Sequence, residues 1–464
     1  MTDATAQSFP QPVHFVGIGG AGMSGIAMVL AHLGVRVTGS DLKASRYTRR
    51  LEEAGVAVSI GHDAANVGEA ALVVISSAIP ERNPELAAAR AAGLPVLRRA
   101  EMLARIMAMR RGIAVAGTHG KTTTSSMISH VLNQCGMDPT FLVGGELNDI
   151  GSNAGVGQGE WLVAEADESD GSLLYLRPEV AIVSNVELDH HSNYGCLDDV
   201  REVFRRFVGL LPGHGLLVLV AGSGGEELAA HTSARVIVVG IGSGDLQGTV
   251  ADVSDRGSTF TVSGDGRELA RVELRVPGEH NVLNALTALA ALRHAGVDPA
   301  DAAPHLASFS GAARRFQEIG RHDGVLVVDD YAHHPTEIEV TLRAARQGGH
   351  GRVIAVFQPH LYSRTRYLQR EFGHALTLAD EAIVTDIFPA REEPEPGVTG
   401  KLIVDAYLTE RPGGPIAYLP RLGDVVRHLT GRVRSGDLVL TLGAGDVFRA
   451  GEQLLAALGG QGEA

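Results

Sequence analysis

Two glycine-rich turns, each between a predicted strand and a predicted helix, constrain the fold of this 464-residue chain most strongly. The first is "HFVGIGGAGMSG", where Gly17, Gly19 and Gly22 follow a short apolar run in the spacing of a dinucleotide-binding turn. The second, "IAVAGTHGKTTTSS", adds a lysine, Lys121. Because glycine lets backbone N–H groups approach phosphate oxygens, both turns predict phosphate sites at the start of a helix.

The segments around these turns alternate between β-rich runs and alanine-rich helical stretches. From Val13 to about Met109, strands are predicted at "VHFVGI", "VRVTGSD", "VAVSI", "ALVVISSA" and "PVL". The alternation restarts at "GIAVAGTHGK" and again near residues 309–315. Such alternation favours parallel sheets with right-handed crossovers. We therefore predict an α/β fold of three domains, covering residues 1–111, 112–311 and 312–464.

The composition argues against several classes of protein. The formal charge of −14 disfavours general binding of nucleic acids, which usually needs a basic face. No apolar run approaches the length of a transmembrane helix, and the first residues lack a signal-peptide pattern. The two cysteines, Cys135 and Cys196, cannot form a disulfide framework. We expect a cytoplasmic protein with no nucleic-acid partner and no membrane insertion.

The second turn has the residues of a nucleotide-binding loop. Lys121 can reach the β- and γ-phosphates of a nucleotide, and the hydroxyl of Thr122 can ligate Mg²⁺. Gly117 and Gly120 are separated by two residues, whereas the common pattern has four. An ordinary strand-to-helix turn is the alternative, which the Gly-Lys-Thr-Thr-Thr run disfavours.

Acidic residues and histidines follow the next predicted strands. "VAEADESDGS" and "VSNVELDHHSNYG" supply Glu165, Asp167, Glu168, Asp170, Glu187, Asp189, His190 and His191. Carboxylates beside a phosphate loop usually hold Mg²⁺, a hard cation that prefers oxygen ligands. For His190 the residues alone leave a purely structural role equally open. Zinc is disfavoured because no cysteine or HxxxH pattern accompanies these residues.

Polar residues also begin a later helix and follow the last strands. "PGEHNVLNALTALAAL" places His280, Asn281 and Asn284 at a helix start, where they could cap the helix or contact a purine edge. "GAARRFQEIG", "DDYAHHPTE" and "FQPHLYSRTR" supply Arg314, Arg315, Asp329, Asp330, Tyr331, His333, His334, His360, Arg364 and Arg366. Because ligands bind at the carboxyl ends of strands in open α/β sheets, we predict a phosphate or carboxylate site there.

Taken in order, "GTHGKTTT", "EADESD", "NVELDHH", "GEHNVLN", "GAARRF", "DDYAHHPTE" and the "FQPH" stretch resemble the Mur ligase family from about Val13 to Val447. The resemblance implies a Rossmann-like UDP-substrate domain, a P-loop-type central ATPase domain and a Rossmann-like C-terminal domain for the amino acid. "GIGGAGMSG" is similar to the family member that joins L-alanine to the lactyl carboxylate of UDP-N-acetylmuramate through an acyl phosphate. That reaction serves peptidoglycan precursor synthesis.

The resemblance also implies roles for individual residues. Catalytic roles fall on Lys121, Glu168, His190, Arg314, His333, His360 and Arg364. ATP contacts fall on Gly117, Thr118, His119, Gly120, Lys121, Thr122, Thr123, His280, Asn281, Asn284, Arg314 and Asp330. Substrate contacts fall on Gly19, Ala21, Gly22, Met23, Ser24, Ser40, Asp41, His62, Ser77, Tyr331, His333 and Arg364. Thr122, Glu168 and His190 would hold Mg²⁺ at two sites, with Mn²⁺ able to substitute.

Two departures and several alternatives accompany this interpretation. The stretch after His190 contains no lysine, so we predict no carbamylated lysine of the kind that sister ligases carry. Leu361 stands where an arginine is frequent in the family. The alternatives are a murein-peptide recycling ligase of the same family, a nicotinamide-dependent oxidoreductase and a non-catalytic nucleotide switch. We expect a monomer or a weak homodimer.

Overall fold

The computed structural model describes residues 9–76, 78–190, 193–254, 257–390 and 392–460. The chain divides into two compact units, one of residues 1–186, 200–239 and 287–302, the other of residues 187–199, 240–286 and 303–464. Within the described ranges no helix has the length and apolarity needed to span a membrane.

The N-terminal sheet is parallel throughout and consists of the five strands predicted from the sequence. They are β1 (Val13–Val16), β2 (Val37–Asp41), β3 (Ala57–Ile60), β4 (Leu72–Ile75) and β5 (Val96–Arg98), in the order β3-β2-β1-β4-β5. Its helices are α1 (Ala21–His32), α2 (Arg46–Glu53), α3 (Pro84–Ala91) and α4 (Arg99–Met107). All four residues of β1 are buried, as expected for a parallel strand covered on both faces. The first glycine turn connects β1 to α1.

The central strands of the first unit surround the second glycine turn. They are β6 (Arg111–Ala116), β7 (Thr140–Leu147), β8 (Ser152–Gly155), β9 (Trp161–Glu165), β10 (Val180–Val183), β11 (Leu216–Val220) and β12 (Arg235–Ile241). Their order is β12-β11-β10-β6-β9-β7-β8, parallel except for the antiparallel pair β7–β8. Helices α5 (Lys121–Gln134) and α6 (Leu197–Val208) accompany them. The turn therefore lies at the carboxyl end of the central strand β6.

The remaining strands and helices form an antiparallel segment and a C-terminal α/β layer. The antiparallel strands are β13 (Leu246–Ser254), β14 (Gly257–Gly264) and β15 (Arg267–Leu274), followed by α7 (Glu279–His294) and α8 (Pro299–Ser308). The last sheet has the order β16-β17-β21-β18-β19-β20, with only β16 antiparallel. Its strands are β16 (Gln317–His322), β17 (Val325–Asp330), β18 (Arg352–Phe357), β19 (Glu381–Val384), β20 (Ile416–Tyr418) and β21 (Asp437–Leu442). Its helices are α9 (Pro335–Gln347), α10 (Tyr362–Leu376), α11 (Lys401–Glu410), α12 (Leu422–Thr430) and α13 (Phe448–Gly460).

This arrangement confirms the predicted fold class, a three-domain α/β protein with Rossmann-like parallel sheets. Apolar runs such as "LLVLV" and "VLVVDD" form strands whose residues are all buried, because helices cover both faces of a parallel sheet. The polar residues predicted to follow these runs lie at the carboxyl ends of the strands, where loops can present them to a ligand.

Candidate nucleotide and substrate sites

The first glycine turn is held in shape by the strand beside it. The backbone carbonyl of Ser40 accepts hydrogen bonds of 2.9 Å from both Gly17 N and Ile18 N. Asp41 Oδ2 accepts a 2.8 Å bond from Gly19 N, and a Cβ on Gly19 would lie only 2.9 Å from that oxygen. The amides of Gly17, Ile18 and Gly19 therefore already have acceptors within the protein.

The start of α1 has amides that no described side chain caps. Gly20 precedes the helix, and among the described residues no side chain caps this end. The first-turn amides, those of Ala21, Gly22 and Met23, have no acceptor within the helix, so they are available to phosphate oxygens. Ser24 instead bonds back to the Ala21 carbonyl through its hydroxyl, at 3.0 Å.

A cation that no sequence motif pointed to lies beside this helix start. A Cβ on Gly22 would be 3.1 Å from Arg99 Nη1, so the glycine leaves room for the guanidinium. Arg99 Nη2 is also 3.6 Å from Asp167 Oδ2. At the first position of α4, Arg99 looks from sequence like a solvated charge, and only its packing against the turn identifies it.

The side chains of two predicted substrate residues, Ser40 and His62, surround a carboxylate. The side chain of Ser40 is fully buried, and its Oγ is 3.1 Å from His62 Nδ1. Both groups contact Glu85, which the sequence did not single out. A buried Ser40 side chain can influence a ligand only through its neighbours. Ser77 lies outside the described residues.

The second glycine turn is held to the end of β10. Gly117 has φ +122°, and a Cβ there would lie 2.1 Å from Ser184 Oγ, so only glycine fits without rearrangement. Thr118 N donates to the Asn185 carbonyl at 3.2 Å, and His119 N donates to Asn185 Oδ1 at 2.8 Å. These contacts fix the backbone through which Lys121 is presented.

Lys121 is enclosed by oxygen atoms. Its Nζ donates to the carbonyls of Gly117 at 2.5 Å and Thr118 at 3.0 Å, and lies 3.0 Å from Glu168 Oε2. Burial by itself would lower the pKa of Lys121, but the carboxylates of Glu168 and Asp167 outweigh burial and raise this pKa. The ammonium therefore stays charged at neutral pH.

The group around Lys121 also suits a hard cation and a polyphosphate. Helix α5 begins after Gly120, whose φ is +82°, and no described side chain caps this end. Thr122 and Glu168, both buried, supply hydroxyl and carboxylate oxygens, the donor type that Mg²⁺ prefers. For Asp167, burial would raise the pKa, but bonds from Ser169 and the charge of Lys121 lower it. An anionic oxygen-rich site beside uncapped helix amides fits a metal–nucleotide complex.

In the second unit, Arg364 forms a buried bidentate ion pair. Its Nε and Nη2 lie 3.0 and 2.9 Å from Asp189 Oδ1 and Oδ2, and both side chains are nearly inaccessible to solvent. Asp189 also accepts from His190 N at 2.7 Å. The third guanidinium nitrogen, Nη1, is 3.3 Å from His360 Nδ1. The guanidinium edge that could bind a carboxylate through two nitrogens is thus occupied by Asp189, and the remaining nitrogen, Nη1, orients His360.

A chain of aromatic and histidine rings continues from His360. The His360 ring stacks on Phe388, and His333 packs edge-on against His360 and Tyr331 with centroids 5.9 and 5.3 Å apart. Burial lowers the pKa of His333 to about 3, with Arg364 and His360 acting in the same direction, although Glu337 opposes them. His333 is therefore neutral at physiological pH and can accept or relay a proton only as the uncharged imidazole.

Leu361, where the resemblance leads us to expect an arginine, precedes helix α10 with φ +73°, in the left-handed region that leucine rarely adopts. Its backbone N–H donates to the Phe388 carbonyl at 3.0 Å. Leucine supplies no cation at this position, and its backbone is bonded to the segment that stacks on His360.

The adjacent arginines have different surroundings. Arg314 Nε donates to Asp329 Oδ2 at 2.8 Å, and its two Nη groups donate to the carbonyls of Gly443 and Gly445. Arg315 lies over the Tyr331 ring and 3.7 Å from Glu337 Oε1. All three guanidinium nitrogens of Arg314 thus bond to protein oxygens near the carboxyl ends of β17 and β21.

Asp330 and the "GEHN" residues complete the predicted set. Asp330 accepts 2.7 Å bonds from Phe316 N and Ala332 N, yet its burial raises the pKa to about 6. In α7, Asn284 Nδ2 donates to Asn281 Oδ1 at 3.1 Å and Asn281 Nδ2 donates to the Pro277 carbonyl at 2.7 Å. Burial and the nearby Arg315 lower the pKa of His280 to about 4. The two amides form a preset pair at a helix start.

Parallel sheets, two uncapped helix starts and an enclosed lysine define a nucleotide-binding α/β protein. Family models place it more closely: the Mur ligase family catalytic domain matches residues 12–111, the Mur ligase middle domain matches 115–292, and the Mur ligase glutamate ligase domain matches 314–445. The chain belongs to the Mur ligase family.

Similar proteins extend over nearly the whole chain. A UDP-N-acetylmuramate–L-alanine ligase of Rubrobacter xylanophilus is 54% identical over 96% of this chain and 100% of its own length. The same-named protein of Desulforamulus reducens is 46% identical over 97% and 99% of the two chains. Among solved structures, UDP-N-acetylmuramate-alanine ligase from Thermotoga maritima matches with TM-score 0.82 and 30% identity, over 97% and 99% of the chains. A murein peptide ligase from Psychrobacter arcticus matches with TM-score 0.71 and 30% identity, over 96% and 98%.

Proposed function

We propose that this protein is an ATP-dependent ligase that joins L-alanine to the lactyl carboxylate of UDP-N-acetylmuramate, with release of ADP and phosphate. The names of relatives up to 54% identical over nearly the full chain support the substrates. The observation that carries the chemistry is Lys121, held between two turn carbonyls and Glu168 at an uncapped helix start. Charge developing on a transferring phosphoryl group would meet a cation already in place.

The first glycine turn would bind the diphosphate of the UDP substrate at the start of α1. The amides of Ala21, Gly22 and Met23 would donate to phosphate oxygens, and Arg99 would supply the positive charge that the turn itself lacks. Gly19 would contribute shape more than a hydrogen bond, because Asp41 already accepts from its amide. This division explains how a turn of dinucleotide-binding type can serve a nucleotide-sugar.

The second glycine turn would bind ATP. Lys121 would contact the β- and γ-phosphates, and Thr118, His119, Thr122 and Thr123 would line the phosphates with their backbone or hydroxyl groups. Thr122 would hold one Mg²⁺, and Glu168 with His190 would hold a second. Bound Mg²⁺ would screen the repulsion between the nucleotide and the substrate carboxylate. Asn281 and Asn284, with His280, would contact the adenine.

The reaction proceeds in two steps in this proposal. An oxygen of the lactyl carboxylate attacks the γ-phosphorus, ADP leaves, and the amine of L-alanine then attacks the acyl carbon and expels phosphate. Arg314 would contact the phosphates, with Arg315 beside it. Arg364 would act on His360 more than on alanine directly, since Asp189 occupies its bidentate edge. Tyr331, His333 and His360 would form the surroundings of the amine, and Asp330 would lie behind them.

The proposal also includes the domain boundaries and the setting. We keep the domain ranges 1–111, 112–311 and 312–464, which the family-model matches over residues 12–111, 115–292 and 314–445 support. A cytoplasmic location and a monomer or weak homodimer are kept as expectations. Cell-wall precursor synthesis would link the protein to cell shape and division.

The test is ADP formation by the purified protein with UDP-N-acetylmuramate while the amino acid is varied. We expect ADP only when Mg²⁺, UDP-N-acetylmuramate and L-alanine are all present. The second candidate is the recycling ligase, which the match to a murein peptide ligase keeps in view. ADP formation with a murein tripeptide, and none with L-alanine, would support that candidate and refute the proposal. A melting temperature raised by NADH and not by ATP with Mg²⁺ would instead favour an oxidoreductase.

A further inference from the structure

Glu85 is a fully buried carboxylate in the N-terminal domain that neither phosphate site uses. It lies in the first turn of α3, where Asn83 caps the helix by accepting from Glu85 N at 2.9 Å and Leu86 N at 3.2 Å. An acid in this position is a common helix stabiliser. Helix stabilisation alone, however, requires neither burial nor a full set of side-chain partners.

Donors surround both oxygens of this carboxylate. Oε2 lies 2.6 Å from Ser40 Oγ and 3.1 Å from His14 Nε2, and Oε1 lies 2.8 Å from Asn66 Nδ2, 3.2 Å from Asp63 N and 3.2 Å from His62 Nδ1. Burial by itself would raise the pKa of Glu85, but the bonds from His14, Ser40, Asn66 and His62 lower it to about 2. At neutral pH, Glu85 is therefore an anion that can only accept hydrogen bonds.

An acceptor-only partner fixes the tautomer of His62. To bond with Glu85 Oε1, His62 Nδ1 must carry a proton, so in the neutral ring Nε2 has a lone pair. Nε2 is on the far side of the ring from Glu85, and the His62 side chain keeps 12% of its surface exposed. His62 thus offers an acceptor outward, which suits a ligand N–H or O–H and repels the acceptor-only oxygens of phosphate.

Apolar side chains lie at the same strand ends. Asp41 and Ile60 are paired in register at the carboxyl ends of β2 and β3, and His62 follows two residues after Ile60. Leu42 and Ile60 are 68% and 55% exposed, unusual for large apolar residues. Exposed apolar surface next to a fixed acceptor suits the base and ribose of a nucleoside.

We propose that Glu85 is a positioning residue for the nucleoside of the substrate: it locks His62 so that Nε2 accepts a hydrogen bond from a ribose hydroxyl or the imide N–H of the base. This rests on the proposed function only in taking the substrate to be a uridine nucleotide. The diphosphate then binds at α1, and the Glu85–His62 pair discriminates the nucleoside.

The experiment compares wild-type protein, Glu85→Gln and the control Glu81→Gln, whose carboxylate is exposed on the same connection. The amide of Gln places an N–H among groups that already donate, so the His62 ring loses its fixed orientation. We expect uridine to bind Glu85→Gln about tenfold more weakly by calorimetry, and KM for UDP-N-acetylmuramate to rise by a similar factor. Pyrophosphate affinity, kcat and KM for ATP should change less than twofold.

Unchanged uridine affinity in Glu85→Gln, or an equal loss of uridine and pyrophosphate binding, would overturn the inference. If Glu85→Gln does not fold, His62→Ala leaves the buried carboxylate in place, and it should show the same selective loss of uridine. Wild-type turnover is measured in parallel. If the wild-type protein is active as a ligase and Glu85→Gln binds uridine as tightly as wild type, this inference alone is refuted. If the wild-type protein is inactive but Glu85→Gln still loses uridine affinity selectively, only the ligase proposal is refuted.

Discussion

The two phosphate turns share a backbone design and differ in their electrostatics. Each ends in a glycine that precedes a helix without a side-chain cap among the described residues. In the first turn, Asp41 accepts from Gly19 N, and the cation beside the turn, Arg99, comes from another helix. In the second, the turn itself supplies Lys121, which Glu168 and two carbonyls hold in place.

This difference matches the different tasks that the proposed function gives to the two turns. A site that only has to bind a diphosphate needs helix amides and one cation at its edge. A site where a phosphoryl group is transferred needs a cation fixed where charge develops, since only interactions stronger in the transition state accelerate a reaction. If this comparison is right, substitutions at the first turn change affinity for the UDP substrate, and substitutions at the second change the rate.

The largest effect is expected for Lys121→Ala. Removing the cation should reduce kcat for ADP formation roughly 100-fold or more, because the lost interaction is made in the transition state. Affinity for UDP should stay within twofold of wild type. Steady-state kinetics and UDP titration measure the two quantities.

Lys401→Ala is the matched control for this experiment, because Lys401 is an exposed lysine paired only locally with Asp405. A Lys121→Ala protein with wild-type kcat, or with equal losses of kcat and UDP affinity, would remove the contrast between the two turns.

Arg99→Ala tests the first turn. We expect KM for UDP-N-acetylmuramate to rise roughly 30-fold, the usual order for a charge-assisted contact, with kcat and KM for ATP nearly unchanged. The neighbouring Arg98→Ala is the control, and it should behave as wild type. A fall in kcat without a change in KM would mean that Arg99 acts in phosphoryl transfer, which would contradict the assignment of the first turn to binding alone.

A pair of glycine substitutions compares the turns directly. Gly117→Ala places a Cβ 2.1 Å from Ser184 Oγ at φ +122°, whereas Gly19→Ala places one 2.9 Å from the end of the Asp41 side chain, which can move. We expect Gly117→Ala to raise KM for ATP about tenfold and Gly19→Ala to raise KM for the UDP substrate only two- to threefold. Equal effects would show that both turns are equally rigid.

The smallest expected effect is on how the free energy of unfolding depends on pH. The pKa of Glu85 is about 2 in the fold against an ordinary value of 4.5, so its contribution to stability is present above pH 4.5 and is lost as pH falls toward 2. The raised pKa of Lys121 has the opposite sign, so its contribution is present below pH 10.5 and is lost as pH rises through the folded value. Urea unfolding should show that wild type loses about 2 kcal/mol more than Glu85→Gln between pH 7 and pH 3. Parallel curves for the two proteins would contradict this.

Much of the fold could be predicted from the sequence because its signals are local. The runs "VHFVGI" and "GLLVLV" form buried parallel strands, and "GTHGKTTT" forms a turn at a helix start. The roles of individual site residues were harder to predict from the sequence. Ser40 and Arg364 were predicted to contact ligands, but their side chains are buried against protein partners, and nothing local in "TGSD" or "YSRT" reveals those partners.

The sequence by itself determined the alternation of strands and helices, the two glycine turns and the order of acidic and basic motifs, since each depends on neighbours within a few residues. Only the tertiary structure decided which charges meet. Glu85 and His62 are separated by 23 positions, and Asp189 and Arg364 by 175, yet the side chains of each pair are in direct contact. Electrostatics inside a protein depends on distance and burial, and neither is encoded in spacing along the chain.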